Sequence, residues 1–451
     1  SARTVLPDRD QRGPGICNRC HSLGPGLMFY IWWLFYNLLF MPILVLLAYL
    51  SAPMNRKVRR GLRGRRKSMA RIREFSEQIK DSGRPLYWFH AASLGEYEQS
   101  RPVIEGLREV SPDAGIAVSF FSPSGFEQCA HEAIDFKFYL PLDFPWTMRR
   151  ALRLLQPHRV LFAAYDIWPN HIWACRAAGV ATVLFAARVA PTSKKQWPVL
   201  RNFFRHVYGA IRHIYTISDT DHARIVKMLG AASESDVRSM GNPRYDRVAA
   251  RNSNGEALKR KHDERIIILG SLHKGDHQVI APVIIGLLKQ DPHLKVVWAP
   301  HDPEPEVLDS IEAELSDREI SWERYGRRFG RFRDKQVLII DGVGYLAENY
   351  GRGILAYVGG GFGSGVHNVM EPAIAGIPVI FGPNYQRSEE AVELIKRNGG
   401  KSVGNQEEFQ QIISGLLNDE AERERIGAIA IQVIETNLGA GARIVHAILE
   451  K

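Results

Sequence analysis

The sequence predicts an α/β protein made of two Rossmann-like, parallel-sheet domains facing a cleft, with one apolar helix ahead of them. Three observations predict it. Short apolar runs alternate with amphipathic helical stretches from Leu86 onward, the pattern of parallel strands covered by helices on both faces. The alternation comes in two series, separated by the polar stretch Arg251–Glu264, which has no apolar period. A 24-residue stretch from Leu27 to Leu50 carries no charge at all, and Asn37 is its one strongly polar side chain.

In chain order, residues 1–26 are rich in Gly, Pro and Arg and predict a disordered tail. Residues 27–50 are long enough to cross a bilayer core, which takes roughly 20 apolar residues. Tyr30, Trp32 and Trp33 lie near one end, where amphipathic rings favour the membrane interface. Ten Lys or Arg follow between Arg56 and Arg73, with no Asp or Glu from Ser51 to Arg73. That asymmetry predicts a single-pass or monotopic anchor with the long C-terminal body on the cytoplasmic side, and an attraction to anionic lipid. Residues 51–250 form the expected first domain. Its strands are Leu86–His90, Ile116–Phe121, Val160–Phe162, Ala181–Phe185 and His213–Thr216. After a linker at 251–264, residues 265–451 form the second, with strands Arg265–Leu269, Lys295–Ala299, Val337–Ile340, Leu355–Val358 and Pro378–Phe381. Helical patterns cover Ser100–Val110, Trp146–Leu155, His222–Leu229, Asp276–Lys289 and Glu389–Arg397. The last stretch, Glu420–Lys451, reads as helical and suited to packing back across the cleft.

Composition narrows the function. The 451 residues have an ordinary apolar share (45%) and a net charge of +10. Only four cysteines occur, too few for a disulfide scaffold, and the Cys17-x-x-Cys20 pair has no second pair at zinc-ribbon spacing. No metal or other cofactor is expected. The basic residues cluster beside the apolar helix and no aromatic-basic RNA motif appears, so nucleic acid is not the expected partner.

Four blocks carry candidate chemistry. HAASLGE (His90–Glu96) follows a strand and opens a helix; Glu96 is placed to take a proton from a hydroxyl, or simply to cap the helix. DIWPN (Asp166–Asn170) puts a carboxylate at a strand end. GSLHKGDH (Gly270–His277) opens another helix, with Ser271 and His273 beside its amides. The stretch Gly359–Asn384 has five glycines in its first seven residues, a density suited to close approach of a ligand to backbone. Glu371, just after it, can accept hydrogen bonds from a ribose diol, and the G-K-[ST] ending of a triphosphate loop is absent.

These blocks, in this order, resemble the 3-deoxy-D-manno-octulosonic acid (Kdo) transferases, from about Met28 to the C-terminus. HAASLGE is similar to the family's H-x-x-S-x-G-E, which implies Glu96 as general base. DIWPN is similar to E-[LF]-W-P-N, which implies Asp166, one methylene shorter than the usual Glu, as a transition-state stabiliser. GNPRYD (Gly241–Asp246) is similar to G-x-x-[KR]-[FY]-D and implies Arg244 as a second stabiliser. Implied donor contacts are Pro300 and His301 (the latter often Arg), Val343, Gly344 and Tyr345, Asn368, Val369, Met370 and Glu371, Ser271 and His273. Arg188, in FAAR, is an implied contact for the sugar carboxylate. The resemblance implies a GT-B fold, no metal, and inverting transfer of Kdo from a CMP-Kdo donor to a lipid A precursor (lipid IVA) at the cell inner membrane. The alternatives are another membrane-associated GT-B transferase using a UDP-sugar, and a non-catalytic protein that binds lipopolysaccharide intermediates.

Overall fold

The computed structural model describes residues 26–450, except 81, 130–131, 165, 191–192, 194, 196, 232, 254–257, 259–263, 327–334 and 343. The expected tail with Cys17 and Cys20, most of the expected linker, and Val343 lie outside the described residues. The chain divides between Arg59 and Arg60 into two units. The first contains one helix, Leu27–Ser51, of mean hydropathy 2.1, long and apolar enough to cross a membrane. Its polar side chain is satisfied internally: the Asn37 amide donates to the Trp33 carbonyl four residues back (2.9 Å).

The second unit holds two parallel sheets of seven strands each. In the first lobe the strands are β1 Leu86–Ala91, β2 Gly115–Phe120, β3 Phe136–Tyr139, β4 Arg159–Ala163, β5 Ala181–Ala187, β6 His213–Thr216 and β7 Asp236–Ser239. Their order is β3-β2-β1-β4-β5-β6-β7. In the second lobe they are β8 Arg265–Leu272, β9 Leu294–Pro300, β10 Trp322–Arg324, β11 Val337–Ile339, β12 Leu355–Val358, β13 Val379–Phe381 and β14 Gly400–Ser402, in the order β10-β11-β9-β8-β12-β13-β14.

All ten expected strands form. The additional four, β3, β7, β10 and β14, are the outermost strand on each side of each sheet. A central strand is covered on both faces and becomes a continuous apolar run. All six residues of β1, Leu-Tyr-Trp-Phe-His-Ala, are buried, and Trp88 and Trp298 are wholly enclosed. Burying each large apolar side chain contributes about 1.5–3 kcal/mol before entropy is counted.

Three segments join the lobes. Helix Arg244–Ser253 packs against helix Leu94–Val110 of the first lobe and helix Met370–Ile374 of the second. It begins inside the expected first domain and ends inside the expected linker. Helix Glu420–Glu435 packs into the second lobe through Ala430, Val433 and Ile434. The last helix, Ala440–Leu449, then crosses back, and Ile444, Val445, Ala447 and Ile448 complete the first lobe's core. The first lobe therefore contains a piece of chain that the expected boundary at 265 assigned to the second.

Candidate active site

In a doubly wound sheet, the strand order reverses at one point, and the two loops there diverge to leave a crevice at the carboxyl ends of the strands. The reversal falls between β1 and β4 in the first lobe and between β8 and β12 in the second. HAASLGE follows β1, DIWPN follows β4, GSLHKGDH spans the end of β8, and the glycine block follows β12. These four blocks thus sit at the switch points, whereas GNPRYD follows the edge strand β7.

At the first crevice, Glu96 lies in the opening turn of helix Leu94–Val110. Its Oε2 accepts from the Ser93 amide (2.9 Å) and from the Ser93 hydroxyl, a complete capping box. Its Oε1 makes no hydrogen bond among the described residues, and the residue is half-buried. The capping and catalytic readings are thus compatible, one oxygen for each. Asp166 lies 3.3 Å from Nε2 of the buried His90. On the other side of the ring, His90 Nδ1 lies 3.1 Å from the Ser119 carbonyl oxygen and 3.0 Å from its hydroxyl, so the ring is held between β2 and Asp166. Sequence reasoning left His90 out of the site, although it opens HAASLGE. It is a buried ring that orients the carboxylate at the neighbouring strand end.

GNPRYD resolves into separate tasks. Asn242 is a buried bridge: its Oδ1 accepts from the Gln99 amide (2.9 Å), and its Nδ2 donates to Glu390 of the second lobe (3.1 Å). Tyr245 packs in the second lobe's core. Asp246 accepts from the backbone amides of Gly439 (2.6 Å) and Gly441 (2.7 Å) and so fixes the returning terminal helix. Arg244 is left over. Its guanidinium makes no hydrogen bond among the described residues, and it is half-buried beside the cleft, close enough to Glu371 to favour that carboxylate's charge.

The second crevice is built around Asp276. This fully buried carboxylate accepts from the backbone amides of Gly360 (2.7 Å), Phe362 (3.3 Å) and His273 (3.1 Å), and from the Tyr357 hydroxyl (2.9 Å). It ties the glycine loop to the start of helix Lys274–Gln290. Three of the five glycines are there for packing. A Cβ would fall 2.2 Å from the Ser271 carbonyl oxygen at Gly359, 2.3 Å from the Gly365 carbonyl oxygen at Gly360, and 2.5 Å from the Gly382 nitrogen at Gly361. Gly360 and Gly365 also have φ of +90° and +140°. At Gly363 a Cβ would meet nothing closer than 3.6 Å. The density of glycine therefore reflects backbone packed on backbone at 359–361, whereas Gly363 and Gly365 have room for a Cβ and Gly365 needs glycine for its φ.

The side chains of Val369 and Met370 are buried in the core, so only their backbone can face a ligand. The Asn368 Oδ1 accepts from the Met370 amide (3.2 Å). Glu371, with its side chain 21% exposed, pairs with Arg251 (3.5 Å). Burial raises its pKa, and Arg251, Arg244 and Asn368 oppose that rise; Glu98, two residues beyond Glu96, acts on it with the opposite sign. Glu98 in turn pairs with Arg247 (2.6 Å). Helix Arg244–Ser253 thus contacts both the helix that carries Glu96 and the helix that carries Glu371. Gly344 (φ +100°) and Tyr345, whose ring lies 5.2 Å from that of Tyr325, stand after β11. They are brought to the same edge of the sheet as Pro300 and His301, which end and follow β9. Ser271 takes a positive φ of 55° where β8 kinks against Gly359.

His273, His301 and His367 follow the adjacent strands β8, β9 and β12, and their rings stack with centroids 4.2–4.9 Å apart. Nε2 of His273 lies 2.7 Å from Nε2 of His367, a hydrogen bond in which one ring nitrogen donates and the other accepts. Burial, then His301 and His273, hold the His367 pKa down at about 4. His367 was not among the site residues expected from sequence; it falls between the glycine loop and Asn368.

Arg188 sits between the lobes, its Nε 3.7 Å from Glu389 Oε1. Burial pushes the Glu389 pKa up to about 7; Arg188 opposes this, and Asp221 and Glu390 add to it. Asp221, of the first lobe, accepts from the Val189 amide (2.8 Å) and the Ser218 hydroxyl (2.9 Å), so protonated Glu389 is the donor between the two carboxyl groups. Stability from this contact is fully present below about pH 4.5 and is lost as pH rises through about 7, when both groups carry charge. Glu389→Gln keeps a donor at every pH. The expected result is that the wild-type melting temperature falls relative to that variant between pH 5 and pH 8, as read by scanning calorimetry; parallel curves would contradict it.

This architecture, two seven-stranded parallel-sheet lobes that share a bridging helix, is the GT-B fold. Solved structures agree on the fold. A UDP-GlcNAc 2-epimerase from Neisseria meningitidis matches with a TM-score of 0.58 at 15% identity, covering 82% of this chain and 100% of that one. MurG of Acinetobacter baumannii matches with a TM-score of 0.51 at 13% identity, covering 81% and 99%. Residues 64–247 match the family model of 3-deoxy-D-manno-octulosonic-acid transferase. The 3-deoxy-D-manno-octulosonic acid transferase of Chlamydophila psittaci is 28% identical over 350 residues, 75% of this chain and 79% of the relative. That of Haemophilus influenzae is 27% identical over 371 residues, covering 79% and 85%. Over three quarters of its length the chain is thus similar to the Kdo transferases.

Proposed function

We propose that this chain transfers Kdo from CMP-Kdo to a phosphorylated lipid A precursor, with inversion at the anomeric carbon. The observation that carries the reading is that helix Arg244–Ser253 packs against both the helix that carries Glu96 and the helix that carries Glu371, in a chain similar to this family. In the reaction, an acceptor hydroxyl oxygen forms a bond to the anomeric carbon as the bond from that carbon to the CMP phosphate oxygen breaks. Glu96 Oε1 takes the hydroxyl proton, and CMP leaves with the bonding electron pair. Arg244, which has no internal partner among the described residues, offsets the charge that grows on the leaving phosphate. Asp166, oriented by His90, faces the positive charge that develops on the sugar ring. Asn368 and Glu371 hold the ribose, with backbone contacts from Val369, Met370 and Gly344. Ser271, His273, Pro300, His301 and Tyr345 line the phosphate and base side.

A donor comparison tests this. Purified full-length protein with lipid IVA is expected to turn over CMP-Kdo and not UDP-GlcNAc, with the product read by mass; the reverse preference would contradict it.

The proposed place of action is the cytoplasmic face of an inner membrane, with Leu27–Ser51 as anchor. Part of the basic segment is occupied within the body: Arg60 pairs with Glu127 (3.1 Å), and Arg65 donates to the Phe121 carbonyl (2.6 Å). Arg63 and Lys67 are exposed and remain for anionic lipid, at about 1 kcal/mol per basic residue. Deleting residues 1–52 is expected to leave a soluble catalyst that is active on detergent-dispersed acceptor and weaker on acceptor in vesicles. Equal activity on vesicles would contradict an anchoring role.

A further inference from the structure

We propose that His273, His301 and His367 form a binding site for one divalent transition-metal ion, zinc in type, on the floor of the second crevice. One ring nitrogen from each lies within 4.8 Å of those of the other two. The three residues come from the ends of three adjacent strands, β9, β8 and β12. Their backbone is fixed: Asp276 holds the amide of His273 (3.1 Å), His301 N–H donates to the Leu272 carbonyl (3.0 Å), and His367 N–H donates to the Gly359 carbonyl (3.0 Å).

Three neutral imidazoles are a donor set for zinc, cobalt, nickel or copper rather than for magnesium or calcium, which take oxygen. Among the described residues, one hydrogen bond joins the three rings, between His273 and His367, and His301 takes no part in it. Asp276 and Asp302 act on His367 in the sense that favours positive charge there. Two ligands of a tetrahedral zinc ion stand about 3.3 Å apart at zinc–nitrogen distances of about 2.0–2.1 Å. The His273–His367 separation of 2.7 Å therefore has to open by about half an ångström as the ion replaces the shared proton. His301 is exposed, so the ion enters from the cleft and keeps a position open to it. That position suits an anionic oxygen, such as a phosphate oxygen. Identifying it with the donor phosphate rests on the proposed function; binding of the ion does not.

The test uses full-length protein in detergent with Cys17 and Cys20 changed to Ser, dialysed against chelator, then titrated with Co2+ and followed by visible absorption. The expected result is one equivalent bound with intense four- or five-coordinate ligand-field bands, and competition by Zn2+. His301→Asn and His367→Asn should each weaken binding by more than about tenfold, since even an outer partner of a metal ligand costs 10–100-fold. Absence of a saturable band, or a band unchanged by both substitutions, would overturn the proposal. His301→Asn alters an exposed side chain, so an unchanged melting temperature shows that its effect is on the site. CMP-Kdo turnover is assayed separately, so a failed metal site and a failed donor assignment give different results.

Discussion

Glu96→Gln is expected to lower the turnover number by about 10²–10⁴-fold, the usual contribution of a general base, while the protein keeps its fold. The separation of the two effects comes from the geometry. Oε2 of Glu96 serves the helix by accepting from Ser93, and glutamine fills that capping role as well as glutamate does. Oε1 serves the chemistry, and an amide cannot take the proton. Turnover of CMP-Kdo and the melting temperature, measured on the same preparation, check both halves. A variant within a few-fold of wild-type turnover would remove Glu96 from the mechanism. Glu96→Ala is the less informative change, because losing the cap costs about 0.5–2 kcal/mol in addition.

Asp276→Ala is expected to have the largest effect on stability. It strands four donors at once: the amides of His273, Gly360 and Phe362 and the Tyr357 hydroxyl. Each buried group left unsatisfied costs about 1–3 kcal/mol, and water entering the space recovers part of that. A loss of about 3–5 kcal/mol is the expectation for removing one partner of a buried charged network. Thermal unfolding should show the second lobe melting early, and CMP should bind weakly because the glycine loop is no longer held. Asp276→Asn should recover part of the loss, since its carbonyl still accepts. A melting temperature equal to wild type would contradict the role given to Asp276.

The central strands were legible because burial on both faces writes them as apolar runs. β3 (Phe-Lys-Phe-Tyr), β7 (Asp-Val-Arg-Ser), β10 (Trp-Glu-Arg) and β14 (Gly-Lys-Ser) were not, because an edge strand has one neighbour and tolerates charge. The returning helix Ala440–Leu449 read as helix from its period. Its partner is a core more than 200 residues upstream, reached only through folding. At the site, the motifs fall on loops at strand ends, but the division of labour within them has no local signal. In GNPRYD, three of six side chains turned out to hold the lobes and the terminal helix, which singles out Arg244 by elimination. In the glycine block, three residues serve contact between backbones. Asp276 reads in sequence as an ordinary helix-opening acid; its contacts with Gly360 and Phe362, more than 80 residues on, carry no local signal. His273, His301 and His367 are spread over about 95 residues and become neighbours only because β9, β8 and β12 are adjacent in the sheet.

A structure of the chain with CMP bound tests the central claim most directly. The account predicts a phosphate at hydrogen-bonding distance, about 3 Å, from the Arg244 guanidinium, the ribose diol on Glu371, and Glu96 across the gap from the phosphorus. A nucleotide seated away from Arg244 and Glu371, or with Glu96 shielded from it by the bridging helix, would contradict the account.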